Sequence, residues 1–357
     1  MEQLQPSELL TSVFLCPKCK RELRRREGRA IDCACGWRCN SEADLWSFVG
    51  NQQYYFGSNR ATTRLLLERM EQGSLPPGEV FSGKERLEGE FGWDYAVGWK
   101  RADILQYLDL RDKIVIDFGC GWGTYSVPAA LQARGVIAVD LTEERLRLLA
   151  LRARHEKLAN MAIVHGDAAR MRWRDNSYDI AIVVGLLEWL PSGFDESPRA
   201  VQLEFLRRIY GGLRPGGSLL LGIENRLNPF YFVGHTDHGE LPFTPLLPRA
   251  VAGLLTRVFK RERFTHYLYT HSGYRKLLRT AGFQEVRFIY PVPTYKETVF
   301  LATSLQPETM GDYLANRYVG QYHRLARKLE MHALKSAIRL RLAEFLVPTY
   351  YVVGERR

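Results

Sequence analysis

The chain has 357 residues, 46% hydrophobic, 25% charged and 12% aromatic, which excludes a disordered chain and fits one large or two modest folded domains. No run approaches the roughly 18 uninterrupted apolar residues of a membrane span, and Met1 to Leu10 lacks the basic start and apolar run of a secretory leader, so a cytoplasmic protein is expected. The net charge of +10 favours an anionic partner without naming it.

Five of the six cysteines fall between Cys16 and Cys39, a density that points to metal rather than to disulfides. Cys16 and Cys19 form a C-x2-C pair, followed after thirteen residues by Cys33, Cys35 and Cys39. Four thiolates on two tight knuckles suit structural Zn2+, and the chosen set is Cys16, Cys19, Cys33 and Cys35, with Cys39 as the alternative ligand. Residues 1–50 therefore read as a separate small unit, and residues 51–94 as a linker and N-terminal lid containing the Gly- and Pro-rich QGSLPPG.

From Ile114 onward short β-branched runs alternate with amphipathic stretches, the signature of a doubly wound, mostly parallel α/β sheet. Strands are expected at 114–117, 135–140, 162–165, 178–184 and 218–223, with crossover helices at 124–133, 142–157 and 200–210. A Pro- and aromatic-rich insertion spans 226–270, then a helix at 272–281 and a strand at 283–290 resume the pattern. The main domain is placed at 95–305, followed by a helical extension and final strand at 306–357. The last sheet strand is either 297–304 or 348–353.

In IVIDFGCGWGTYS a buried strand ends in Asp117 and passes through Gly119, Cys120, Gly121 and Gly123 into a helix. Glycine there lets backbone approach a ligand at the carboxyl end of the sheet. Thr124 stands where a dinucleotide fingerprint needs its third glycine, and no Gly-Lys-Ser/Thr of a phosphate loop is present.

This pattern resembles the class I S-adenosylmethionine-dependent methyltransferases, of the type 11-like kind, whose motif is an acid followed by Gly-x-Gly-x-Gly after the first strand. The resemblance is strong over about 95–225. It implies a Rossmann-like, seven-stranded sheet and S-adenosylmethionine as methyl donor. It also implies Asp140 and Leu141 at the ribose, Asp167 and Ala168 at the adenine, Gly185 and Leu186 at the methionine end, and an aromatic lid that includes Tyr95. The cysteine run is similar to the zinc ribbons fused to or partnering several methyltransferases, although the second C-x2-C is absent.

The insertion resembles bacterial methyltransferases that accompany polysaccharide and cell-envelope glycan synthesis, which implies a hydroxyl acceptor on a glycan or lipid-linked glycan. Removing that proton calls for a base, and His235, Asp237 and His238 form the His/Asp cluster nearest the expected cofactor. His238 is assigned as base, oriented by Asp237, with Glu224 or Asn225 as a positioning group. Residues 248–287 carry nine Arg or Lys against Glu262 and Glu285. That stretch fits the diphosphate of a lipid-linked glycan at a membrane surface. It also fits RNA, which makes RNA methylation the second reading and a non-catalytic, cofactor-binding assembly protein the third.

Overall fold

The computed structural model describes residues 3–27, 30–49, 60–73, 75, 99–239, 241–305, 336–337, 339–340 and 342–357. Tyr95, and most of the amphipathic stretch expected between 307 and 345, lie outside them. No described helix is long and apolar enough to cross a membrane.

Helix α1 (Pro6–Val13) starts on Pro6, and the Gln5 N–H donates to the Glu8 carboxylate at 3.0 Å, which satisfies an end that the helix itself leaves open. An antiparallel meander follows: β1 (Arg24–Arg26), β2 (Ala30–Asp32), β3 (Arg38–Glu42) and β4 (Leu45–Ser47). Helix α2 (Arg60–Glu71) lays Leu66, Leu67 and Met70 on Leu148.

The alternating part then begins with β5 (Ile114–Phe118), the short α3 (Ser126–Ala130), β6 (Gly135–Asp140), α4 (Glu143–His155) and β7 (Met161–His165). It continues through β8 (Tyr178–Val184), α5 (Pro198–Gly212) and β9 (Leu213–Glu224). Helix α6 (Arg249–Lys260) occupies the insertion, before α7 (His271–Ala281), β10 (Glu285–Pro293), β11 (Thr298–Ala302), α8 (Ala343–Leu346) and β12 (Thr349–Glu355). Side chains cap two of these helices, Ser197 accepting from the Ala200 N–H and Thr270 from the Gly273 N–H.

Seven neighbouring strands, β7-β6-β5-β8-β9-β12-β10, make the expected sheet. Strand β12 is antiparallel to both β9 and β10, so the final run takes the inner position and the 298–302 run becomes an edge hairpin on β10. Residue parity sorts the core onto two faces. Ile116, Phe118, Ile137 and Val139 belong to one apolar cluster, while Val115, Val136, Ala138 and Ile182 belong to the other.

The whole sheet has twelve strands rather than seven, because the four-stranded cysteine-bearing meander joins it at one edge and β11 at the other. Strand β4 lies parallel to β7, with Leu45 opposite Ile163 and Ser47 opposite His165. An open β7 edge would leave backbone groups unpaired, and β4 supplies partners for them. Helix α1 seals the same region. Leu9 lies so close to Gly135 that a Cβ there would stand 2.5 Å from Leu9 Cδ2. Phe14, Trp46 and Phe48 share one core with the sheet, so residues 3–49 do not stand apart as a free module.

If the two parts form one core, Leu9→Ala should lower the stability of the whole chain by about 2–5 kcal/mol and leave a single unfolding transition. Urea denaturation followed by both tryptophan fluorescence and circular dichroism checks this; separate transitions would show independent units.

Candidate active site

A cavity of about 480 Å³ opens at the carboxyl ends of β5, β6 and β8. Gly119, Cys120, Gly121, Asp140, Leu141, Asp167, Ala168, Gly185 and Leu186 all line it. Asp117 and Gly123 do not; they stand behind the loop. Asp117 is 1% exposed and its carboxylate accepts from Ser126 Oγ at 2.5 Å, tying the strand end to the start of α3. Gly123 makes room for Leu149 of α4.

The loop is shaped by its backbone. Gly121 sits at φ +55°, and a Cβ built on it would meet no atom within 4 Å, so the chain there faces open cavity. The Gly121 N–H donates to Asp140 Oδ2 at 2.9 Å and the Thr142 N–H to Oδ1 at 2.8 Å. Each carboxylate oxygen retains further acceptor capacity toward the cavity. Asp167 is held similarly, accepting from the Ala169 N–H at 2.9 Å and from Arg170 Nη1 at 2.8 Å. Two carboxylates, a glycine cradle and an apolar wall of Leu141 and Leu186 fit a nucleoside with a short charged tail.

Residues that sequence reasoning did not single out complete the cavity. Trp122 is covered by the Arg145 guanidinium, 4.8 Å from its ring centre. Arg101, 6% exposed, donates to the Tyr295 carbonyl at 3.0 Å and lies over the Tyr125 ring. The least anticipated group is Glu188. It is fully buried and lines the cavity, and among the described residues neither carboxylate oxygen has a hydrogen-bond partner. A buried acid in this state is costly unless something binds it. The acid inside the apolar run GLLEWL was the available signal.

His238 lies at the far wall. Its Nε2 is 3.6 Å from Glu188 Oε1 and 3.8 Å from Glu224 Oε2. Glu224 also accepts from Lys296 Nζ at 2.9 Å and from the Tyr231 hydroxyl at 3.1 Å. Burial works against the charged imidazolium, but Glu188 and Glu224 outweigh it and raise the His238 pKa above its ordinary value. Asp237 instead accepts from the Gly239 N–H at 2.8 Å and from Thr244 within its own turn. Thus Glu188 and Glu224, rather than Asp237, face the ring nitrogen of His238. His235 is exposed and packs on Phe230, while Asn225 donates to the Phe345 and Val347 carbonyls as a structural tie.

A second cavity of about 630 Å³ shares Trp189, Gly193, Phe194 and His238 with the first. Its aromatic wall is Trp189, with His238 at 4.4 Å and His266 at 4.8 Å between ring centres. His238 thus stands at the junction of the two chambers.

At the knuckles, the Sγ atoms of Cys16, Cys19, Cys33 and Cys35 lie within 4.8 Å of one another. The Cys16–Cys35 and Cys19–Cys33 pairs are 3.6 and 3.4 Å apart. Tetrahedral zinc with Zn–S bonds of about 2.3 Å needs sulfurs about 3.8 Å apart, so the donor set fits that ion. Cys39 is turned elsewhere, its thiol on the Ser47 carbonyl at 3.4 Å and pushed up to about 11 by burial.

The basic stretch is partly consumed by the fold. Arg249 lies 3.7 Å over the Tyr267 ring and donates to the Leu268 carbonyl, Arg263 donates to the Phe194 carbonyl, and Arg275 to that of Val286.

A family model described as a methyltransferase domain matches residues 116–221. Residues 116–221 are a methyltransferase domain. The chain is 25% identical over 138 residues to a demethylmenaquinone methyltransferase of Listeria welshimeri, covering 38% of this chain and 55% of that protein. It is 22% identical over 152 residues to a ubiquinone biosynthesis O-methyltransferase of Rickettsia prowazekii, covering 41% and 56%. The chain thus spans about half the length of the curated relatives it matches. Among solved structures, it is similar to Haemonchus contortus phosphoethanolamine N-methyltransferase 2 in complex with S-adenosyl-L-methionine. That likeness has a TM-score of 0.44 and 16% identity, over 81% of this chain and 59% of that one.

The methyltransferase domain carries a built-in pH effect. Burial pushes Asp117 up to about 7, and the nearby charge of Asp140 adds to this. A folded-state pKa above the unfolded value of 3.8 means that this group's contribution is full below 3.8 and is lost as pH rises through about 7. Asp117→Asn removes the titration, so its melting temperature should gain on the parent's as pH rises across that window. A constant difference from acid to neutral pH would overturn the assignment.

Proposed function

We propose that this chain transfers the methyl group of S-adenosylmethionine directly to a hydroxyl oxygen of a glycan or lipid-linked glycan. The cavity at Gly121, Asp140 and Asp167 is the donor site. Asp140 takes the ribose hydroxyls on its remaining lone pairs, Asp167 and Ala168 take the adenine, and Gly185 and Leu186 border the methionine end. The observation that carries the acceptor reading is His238 at the junction of the two cavities, facing two carboxylates. A neutral His238 would accept the hydroxyl proton as the acceptor oxygen takes the methyl and its bond to sulfur breaks, S-adenosylhomocysteine leaving as a neutral thioether, and Glu188 and Glu224 would stabilise the imidazolium that results.

A second acceptor, a quinone-type ring, is favoured by the aromatic wall of Trp189 and His266 and by the names of the curated relatives, one of which is an O-methyltransferase. Labelled S-adenosylmethionine incubated with glycan, lipid and RNA fractions separates these readings. Label in glycan or glycolipid supports the first and label in a non-sugar aromatic lipid the second; label confined to RNA discards the base assignment. Asp140→Ala should lose most affinity for S-adenosylmethionine in a calorimeter while the fold is retained, and unchanged binding would displace the ribose site.

The rate should rise with pH as His238 loses its proton, with a midpoint above the ordinary value of 6.5. Glu188→Gln removes one of the charges that hold the proton, so it should move that limb to lower pH; an unmoved limb would remove His238 from the role of base.

We also propose that Cys16, Cys19, Cys33 and Cys35 hold one structural Zn2+. Emission spectrometry should find about one zinc per chain, falling in Cys19→Ser but not in Cys39→Ser. Full zinc content in both variants would place the metal elsewhere.

A further inference from the structure

Helix α6 is built the wrong way round for an element that closes a core. It buries two small residues, Ala252 and Thr256, and leaves Val251, Leu254, Val258 and Phe259 exposed at 43%, 62%, 62% and 71%. Positions 251, 254 and 258 recur at helical spacing, so their side chains form one outward stripe with Phe259 at its margin. The same insertion exposes Phe232 at 57% and Val233 at 74%. Arg257 and Arg261, both exposed and four residues apart, lie along one flank of the stripe. The helix holds no acid, and Glu262 just beyond it lies 4.0 Å from Lys260.

We propose that α6 seats the protein on an anionic phospholipid surface, its apolar stripe entering the acyl boundary and Arg257 and Arg261 meeting lipid phosphates. An outward apolar stripe flanked by guanidinium groups is what such a surface recognises. A second copy of the chain fits less well, since an antiparallel two-fold pairing of these stripes sets the same basic flanks against each other. The location gives the contact a use. Thr256 and Lys260, on the inner side of α6, line the second cavity, which joins the donor cavity at Trp189 and His238. Resting on the proposed methyl transfer, this places the acceptor chamber beside the membrane, so that a lipid-borne acceptor reaches His238 without crossing water.

The test is sedimentation of the full chain with vesicles of phosphatidylcholine alone or of phosphatidylcholine containing phosphatidylglycerol. The chain should pellet with the anionic vesicles, and added salt should release it. Leu254→Glu/Val258→Glu should weaken binding at least about tenfold while S-adenosylmethionine affinity in the calorimeter stays at the parent value. Arg257→Gln/Arg261→Gln, which leaves the apolar stripe intact, should reduce the salt dependence and serves if the first variant does not fold. Failure to bind any vesicle overturns the proposal, as does binding unchanged in both variants. So does a halved solution mass in the Glu variant, which would give the stripe to a second copy. Vesicle binding with no methyl transfer to any fraction would leave the membrane contact standing and remove only the acceptor reading.

Discussion

Both oxygens of Asp140 accept a backbone N–H, one from Gly121 and one from Thr142, and through these two bonds the loops after β5 and β6 become one cradle. Without that grip the glycine loop would be a flexible turn. Its backbone would have to lose conformational freedom when a ligand arrives rather than during folding. The Asp117–Ser126 bond does the same behind the loop, fixing where α3 begins. The carboxylates of this end therefore divide their labour: Asp117 shapes, while Asp140 and Asp167 shape and also face the cavity.

The chemistry beyond the donor site depends on a different balance. Glu188, Glu224, His238 and Lys296 bring two acids and two bases into a largely buried space. Buried charge is tolerated there because each sign finds the other within about 4 Å. Each Glu224 oxygen already accepts one hydrogen bond, from Lys296 or from Tyr231, whereas among the described residues neither Glu188 oxygen accepts one. The asymmetry makes Glu188 the carboxylate with more capacity left for a ligand.

Much of this was legible in the sequence, and what was not has physical reasons. The strands at 114–118 and 135–140 are buried on both faces and read as apolar runs interrupted only by Asp117 and Asp140, and the glycine spacing marks the cavity. The cysteine spacing brings four thiols to mind, but not which of Cys33, Cys35 and Cys39 turns away; the local strand pairing of Cys39 with Ile31 decides that. Strand β4 has three residues and no alternation to betray it, so its place on the β7 edge is a tertiary fact. Lys296 reaches Glu224 across 72 residues, a separation no local pattern reports. For α6 the periodicity shows that one face is apolar, but periodicity is silent on which face looks inward.

The pairing of β4 with β7 joins two sites that look unrelated along the chain. Ser47 lies opposite His165, whose imidazole reaches the Leu141 carbonyl at 3.2 Å, and two residues further on is Asp167. The meander that carries the thiols thus abuts the strand whose end leads to Asp167, so the cysteine-bearing segment and one wall of the cavity are built on adjacent strands of a single sheet.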